Sequence, residues 1–325
     1  MKVFITRLIP DTGLQLLHDA QIEIMQWKEK RELTRQELID YCKPCNALLS
    51  AGYNKIDAQF LNDCSHLKVI ALHSVGFDNV DIKEATRLKI PVGNTPGVLS
   101  AATADTAFLL MLAVSRKAFY QHKRIEKGDW NFFEPNADLG IELKGKTLGI
   151  YGLGKIGFEM AKRCIGAYNM KVIYCNRSHN PDAENELNAV KVSFNQLLKQ
   201  SDVLSLHATL NPETSRKFDK AAFANMKPAS IFINTARGGI HNEEDLINAL
   251  QNGIIWGAGL DVTNPEPMDQ NNPLLSMPNA AVLPHIGTAT VETRNAMAKL
   301  AAENIIAGLK GEPIPYPVNP EVYAK

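Results

Sequence analysis

The chain has 325 residues, with 35 Lys and Arg against 35 Asp and Glu, so its formal net charge is zero. At roughly 150 residues per domain this length predicts about two domains, and the balanced charge lacks the basic footprint of a nucleic-acid-binding protein. Hydrophobic residues at 45% and charged residues at 22% can fill globular cores, which excludes a disordered or collagen-like chain.

The first hundred residues alternate short β-like runs with helical ones. KVFIT, IEIM, NALLS and LKVIAL read as strands, each followed by a helical stretch: Thr12 to His18, Thr34 to Tyr41, Ile56 to Asn62 and Asp81 to Leu88. Thr34 and Glu37 have capping-box spacing, in which hydroxyl and carboxylate each take up a free amide at the helix start. From Ser100 to about Lys127 the pattern predicts one long helix with Phe108, Leu109, Leu112 and Phe119 on related faces, a connector between two lobes. A second series follows: TLGIY, a helix over Lys155 to Tyr168, KVIYC, a short helix near Phe194 to Lys199, DVLSL, SIFIN, a helix over Asn242 to Gln251, and WGAGLDV. Pro265, Pro267, Pro273 and Pro278 mark a stiff loop. A final helix, about Val291 to Leu309, stops at Gly311 and Pro313. Strands alternating with helices imply α/β architecture, parallel sheets covered on both faces.

The opening MKVFITRLIPDTG lacks the apolar centre of a signal peptide. The longest apolar run, Ala107 to Val114, is far shorter than the roughly 20 residues that cross a bilayer. Five scattered cysteines do not make a disulfide framework. Cys42 and Cys45 have redox or metal-pair spacing, but they close a predicted helix instead of opening one, and no second pair completes a zinc site, so no metal is expected. The expectation is a soluble cytoplasmic protein with neither a nucleic-acid nor a membrane partner.

The sharpest local signal is Gly152-Leu153-Gly154-Lys155-Ile156-Gly157, which follows the strand TLGIY and opens a helix. Gly152 permits a tight turn, Gly154 lets backbone amides approach a pyrophosphate, and Gly157 permits close packing of helix on strand, while the helix N-terminus faces the anion. The next strand ends at Asn176-Arg177-Ser178, with Asn176 nineteen residues beyond Gly157. An acidic residue there would hold the ribose 2′-OH of NAD; none is present. Arg177 can instead donate charge-assisted bonds to a 2′-phosphate, with Asn176 and Ser178 as further donors. NADPH is therefore expected as the preferred cofactor, with NADH possible; the competing reading of Arg177 is a solvated surface arginine.

Further blocks extend the pattern along the chain: Val75-Gly-Phe-Asp-Asn-Val80, Asn94-Thr-Pro-Gly-Val-Leu99 with Thr103-Ala-Asp105, Asn234-Thr-Ala-Arg-Gly-Gly239, Gly259-Leu-Asp-Val262 with Pro265-Glu-Pro267, and Leu283-Pro-His-Ile-Gly287. In these blocks and their order the sequence resembles the D-isomer-specific 2-hydroxyacid dehydrogenases, and among them the glyoxylate/hydroxypyruvate reductases. The resemblance implies two doubly wound parallel-sheet domains: a flavodoxin-like substrate domain, residues 1–100 plus 289–325, and a Rossmann cofactor domain, residues 101–288. Helices near 101–125 and 289–309 would form the hinge. It also implies a homodimer, with the segment from Trp130 to Leu139 as an arm.

The same resemblance assigns roles. Arg237 would hold the substrate carboxylate and polarise the ketone, as a planar guanidinium suits. His285 would be the general acid in reduction and the base in reverse. Glu266 would orient His285 and favour its protonated form. Backbone amides at Val75 and Gly76 would take the other carboxylate oxygens, and Leu99 would line the substrate pocket. Thr103, His207, Thr235, Ala236, Asp261 and Gly287 would line the cofactor, with Asp261 near the nicotinamide carboxamide. The sequence departs from the family pattern at Thr209, where proline is usual, which leaves the loop at the adenine end open. The implied activity is NADPH-dependent reduction of glyoxylate and hydroxypyruvate to glycolate and D-glycerate. Alternatives are a phosphoglycerate or D-lactate dehydrogenase, or a nucleotide-sensing corepressor-like protein of the same fold.

Overall fold

The computed structural model describes residues 1–324. They divide into two compact units, Met1–Leu99 with the chain from Ala289 onward, and Ser100–Thr288. The first unit opens with β1 (Lys2–Ile5), α1 (Asp11–Asp19), β2 (Glu23–Gln26), α2 (Arg35–Cys42), β3 (Ala47–Ser50), α3 (Ala58–Asp63), β4 (Val69–Leu72), α4 (Ile82–Arg87) and β5 (Val92–Gly93). Its strands run in the order β2-β1-β3-β4-β5, every pair parallel. All residues of β3 and β4 are buried. A parallel sheet covered on both faces requires this, and it is why ALLS and VIAL are unbroken apolar runs instead of alternating ones. The capping box of α2 forms as the spacing predicts, with the Glu37 amide donating to Thr34 Oγ1 at 3.2 Å and the Thr34 amide to Glu37 Oε2 at 2.8 Å.

The second unit comprises α5 (Ser100–Ser115), α6 (Ala118–Glu126), β6 (Thr147–Tyr151), α7 (Lys155–Tyr168), β7 (Lys171–Cys175), α8 (Pro181–Leu187), β8 (Val190–Lys191), α9 (Phe194–Gln200), β9 (Val203–Leu206), α10 (Lys220–Ala224), β10 (Ile231–Asn234), α11 (Glu243–Gln251), β11 (Gly257–Leu260) and β12 (Ala280–Val282). The strand order is β12-β11-β10-β9-β6-β7-β8, again all parallel. The order reverses about β6, which has β7 on one side and β9 on the other. Such a reversal opens a crevice at the carboxyl ends of the strands.

The single long helix expected over Ser100 to Lys127 is in fact two. Lys117 adopts a left-handed conformation, φ 51°, between α5 and α6. The Ser115 carbonyl accepts the Ile141 amide at 2.9 Å, and a β-carbon on Gly140 would lie 2.4 Å from that oxygen. A returning segment thus takes a carbonyl that helical periodicity alone would leave to the helix. Of the four residues read on related faces, Phe108, Leu112 and Phe119 are partly buried against the core and Leu109 is exposed, while Ala104, Ala107, Leu110, Met111 and Val114 form the fully buried face. The glycines of β11 explain that choice. A β-carbon on Gly259 would sit 2.8 Å from Leu110 Cβ, and one on Gly257 2.6 Å from Val114 Cγ1, so GAGL lets α5 lie directly on the sheet. Trp130, Phe132, Phe133 and Leu139 are exposed.

The last helix, α12 (Val291–Lys310), returns to the first unit. Thr290 caps its start through the Thr293 amide, and Gly311 ends it at φ 78°. Gly308 brings it against β4, where a β-carbon would meet Val69 Cβ at 2.5 Å. Asn304, fully buried, bonds Asn94 O and the Tyr316 amide, each at 3.1 Å. Cys42 and Cys45 are buried at and just beyond the end of α2, and burial pushes the Cys45 thiol up to about 11. Among the described residues no helix is long and apolar enough to cross a membrane.

Candidate active site

The turn from β6 into α7 lies at the reversal of strand order. Gly152 has φ 90°, and a β-carbon there would be 2.5 Å from the Ala208 amide nitrogen. Gly157 packs α7 on β6, its missing side chain 3.0 Å from Ile150 Cγ2. Gly154 is the N-cap of α7 and no side chain caps that helix. No described residue lies within 4 Å of the Gly154 β-carbon position, so there is open space beside the first residues of α7, Lys155 and Ile156. An uncapped helix start combines orphan N–H donors with the positive end of the dipole, which suits a pyrophosphate.

Leu153, inside the glycine turn, is held on both backbone groups. Its amide donates to Asn176 Oδ1 at 2.7 Å, and its carbonyl accepts from Asn176 Nδ2 and Asn180 Nδ2, each at 3.0 Å. The Asn176 side chain, expected to serve a 2′-phosphate, therefore fastens the glycine turn to the loop after β7. Asn180 was not anticipated; it also caps α8 by accepting the Ala183 amide, and its position just before Pro181, a helix-start signature, is the signal that could have found it. Arg177 and Ser178 are exposed on that loop. Lys191, from β8, donates to the Arg177 carbonyl at 3.2 Å and places a second cation there.

Around the carboxyl ends of β9, β10 and β11 the other expected cofactor residues gather. His207 contacts Ser205 Oγ at 2.9 Å through Nε2, and Thr235 Oγ1 lies 3.5 Å from its Nδ1. The Ala236 amide is taken by Asn234 Oδ1 at 2.9 Å. Thr103 is buried and its hydroxyl has no hydrogen-bond partner among the described residues. The open Gly154, the uncapped α7 and this buried hydroxyl all fit a dinucleotide. At the Thr209 departure the loop is built locally: Thr214 Oγ1 donates to the Thr209 carbonyl at 2.7 Å, and Asn211 Oδ1 accepts the Glu213 and Thr214 amides.

Asp261, just past β11, is buried and accepts the Ile286 and Gly287 amides at 2.7 Å each. Burial raises its pKa above the usual carboxylate range, opposed by these two bonds. Its carboxylate thus pins the two residues after His285, which itself adopts φ 53°, a left-handed conformation uncommon for a residue with a side chain. His285 Nδ1 meets Glu266 Oε2 at 2.9 Å, and Glu266 Oε1 accepts the Thr263 amide at 2.9 Å. Burial acts to raise the Glu266 pKa, but the bond and charge of His285, the Thr263 amide and the charge of Arg237 outweigh it and hold the group below its ordinary value. Glu266 is therefore an anion across the neutral range, so His285 Nδ1 carries a proton and Nε2 is the atom left for chemistry. Arg237 follows β10, half-buried, with Nη1 donating to the Ala236 carbonyl at 2.7 Å.

Arg237, Glu266 and His285 all belong to the second unit, whereas Val75, Gly76 and Leu99 belong to the first. There, Asn94 Nδ2 donates to Val75 O at 2.9 Å and Ser74 Oγ to Gly76 O at 2.8 Å, which shapes the turn after β4. Leu99 is buried.

Buried neutral histidines have a consequence for stability. Burial, joined by the charge of Arg294, lowers His73 to about 4, and burial lowers His241 to about 4. Both lie below the unfolded value of about 6.5, so between these values the unfolded chain binds more protons. Stability is then complete above about pH 6.5 and falls as pH drops toward 4, by about 2 kcal/mol per histidine at pH 5. The Tm is expected to decline between pH 7 and pH 5; a Tm unchanged over that interval would contradict the neutral assignment.

A dinucleotide cradle joined to an imidazole–carboxylate pair in one parallel-sheet unit is the mark of NAD(P)-dependent dehydrogenases. Residues 108–287 match the family model described as D-isomer specific 2-hydroxyacid dehydrogenase, NAD binding domain. The chain is 45% identical to a glyoxylate reductase of Thermococcus litoralis over 99% of its own length and 97% of that protein's. Among solved structures it is similar to the TT0316 protein from Thermus thermophilus, with a TM-score of 0.91 and 40% identity over 98% of this chain and 100% of that one. It is also similar to an NADPH-dependent glyoxylate/hydroxypyruvate reductase of Sinorhizobium meliloti solved with NADP and malonate, with a TM-score of 0.83 and 27% identity over 100% and 98% of the two chains. The chain belongs to the D-isomer specific 2-hydroxyacid dehydrogenase family, on its glyoxylate reductase branch, and is an NAD(P)-dependent oxidoreductase.

Proposed function

We propose that the protein reduces small 2-oxo acids, glyoxylate and hydroxypyruvate, to glycolate and D-glycerate, and that it prefers NADPH to NADH. The observation that carries the chemistry is the 2.9 Å contact between His285 Nδ1 and Glu266, which leaves Nε2 to deliver a proton. When bound, the nicotinamide supplies the hydride. The chain's own residues do the rest. Arg237 takes the substrate carboxylate and polarises the carbonyl, His285 Nε2 gives its proton to the carbonyl oxygen as charge develops there, and Glu266 offsets the positive charge of the imidazolium before transfer. In the reverse direction His285 Nε2 removes the hydroxyl proton.

The cofactor preference is supported by the loop after β7, where Asn176 stands in the acidic position and Arg177 and Ser178 are exposed beside Lys191. A panel of 2-oxo acids assayed with both cofactors tests the reading: glyoxylate or hydroxypyruvate with NADPH is expected to have the highest kcat/KM, with sustained turnover. Arg177→Asp is expected to lower the NADPH-to-NADH ratio of kcat/KM by about 10–100-fold, the size of a lost charge-assisted bond. An unchanged ratio would return Arg177 to the status of a surface arginine, and absence of turnover by the wild type would favour a sensing protein.

A further inference from the structure

We infer that His241 is a positioning residue for Arg237, acting through Asn234; this rests on the substrate-binding role proposed for Arg237. Asn234 ends β10 and is fully buried. Its Oδ1 accepts the Ala236 amide at 2.9 Å and its Nδ2 donates to the Arg237 carbonyl at 2.8 Å. These two backbone partners settle the orientation of the carboxamide, because turning it over would set oxygen against oxygen and N–H against N–H. The same Nδ2 lies 3.1 Å from His241 Nδ1. With one Nδ2 proton spent on Arg237, the other points at His241, so Nδ1 must be an acceptor. His241 is therefore neutral with its proton on Nε2, and burial lowers its pKa to about 4, which keeps it so.

The two residues form the floor of the turn that presents Arg237. The Arg237 carbonyl also receives the Ile240 amide at 3.2 Å, and the His241 amide donates to Gly238 O at 3.2 Å. The His241 backbone is anchored from below through a bridge to Phe218, and its ring meets Phe232 edge-on at 5.7 Å. Gly238 carries the effect onward: a β-carbon there would be 2.0 Å from the Thr263 carbonyl, and the Thr263 amide holds Glu266. The floor under Arg237 thus also supports the segment that orients His285. A side chain unable to accept at position 241 leaves a buried Asn234 N–H without a partner, and that group's search for another acceptor moves the Arg237 carbonyl.

The test uses the wild type, His241→Leu and His241→Asn; asparagine offers Oδ1 near the place of Nδ1. For His241→Leu, kcat/KM for glyoxylate is expected to fall by about 10-fold, through both KM and kcat as for Arg237 itself, while KM for NADPH changes less, because the Ala236 amide is held by Asn234 Oδ1 and not by the Nδ2 that loses its partner, and the glycine turn is held by Asn176 and Asn180. His241→Asn is expected to recover most of the loss. An unaffected leucine variant, equal losses for oxo acid and cofactor, or no recovery with asparagine would each overturn the assignment. Two-bond proton–nitrogen NMR on the histidine-labelled wild type reads the tautomer directly and does not depend on any variant folding. The Nε2–H form is expected, and an Nδ1–H form overturns the proposal. A wild type inactive on every 2-oxo acid would instead strike at the functional reading, while the tautomer would still report on the Asn234–His241 pair.

Discussion

His285→Ala is expected to lower kcat for glyoxylate reduction by about 10²–10⁴-fold, the range for loss of a positioned general acid, with the KM for glyoxylate changed little. Hydride arrival turns a carbonyl oxygen into an alkoxide, and without a proton donor at that atom the charge must be borne until water supplies one. Three features suit His285 to the proposed role. Glu266, kept anionic, holds Nδ1 at 2.9 Å; Asp261 takes both following amides at 2.7 Å; and the residue is held at φ 53°. The left-handed conformation costs on the order of 1–3 kcal/mol for a residue with a β-carbon, and the Asp261 clamp opposes relaxation from it. The alanine variant loses none of the proposed carboxylate contacts, so steady-state kinetics should show the loss in kcat. Turnover near that of the wild type would sink the mechanism.

Arg237→Ala is expected to reduce kcat/KM for glyoxylate by about 10²–10³-fold, the size of one preorganised donor removed from a developing oxyanion, with the damage divided between KM and kcat. The guanidinium is proposed to act twice, on the carboxylate in the ground state and on the carbonyl as charge grows, so both constants should move. Arg237→Lys should restore little, because an ammonium is a point charge that cannot offer two parallel bonds in a plane. The charge of Arg237 also helps keep Glu266 below its ordinary value, so its removal weakens the anion that faces His285. A loss confined to KM would reduce Arg237 to a binding residue; normal values of both constants would remove it from the site.

Much of the site could be read without coordinates because its signals are local. The glycine turn depends on residues 152–157 lying between a strand and a helix, and two of its three glycines meet a close approach within the chain: Gly152 against Ala208, and Gly157 against Ile150. The capping box at Thr34 is likewise a matter of four consecutive residues. Arg237, Glu266 and His285 are far apart along the chain, and it was family resemblance that singled them out. What escaped detection was either short or settled by contacts from afar. The two-residue strands β5 and β8 carry too few side chains to show a period, and the same holds for the five-residue α10 and three-residue β12. The break at Lys117 depends on Ile141 reaching the Ser115 carbonyl, and the face that α5 buries depends on two glycines in β11, almost 150 residues later.

By itself, then, the sequence determined the α/β class, the parallel sheets and the position of the dinucleotide turn, because apolar runs, helix caps and glycines act through neighbours within a few residues. Only the tertiary structure decided what the polar side chains do. Asn176, read as a donor to a 2′-phosphate, bonds both backbone groups of Leu153; Asp261, read as near the nicotinamide carboxamide, accepts the two amides after His285; Asn234, which heads the block that carries Arg237, and His241, to which the sequence pattern gives no role, lie beneath Arg237. A hydrogen bond is made or lost within a few tenths of an ångström, and its partner is set by how distant segments pack, which no local pattern encodes.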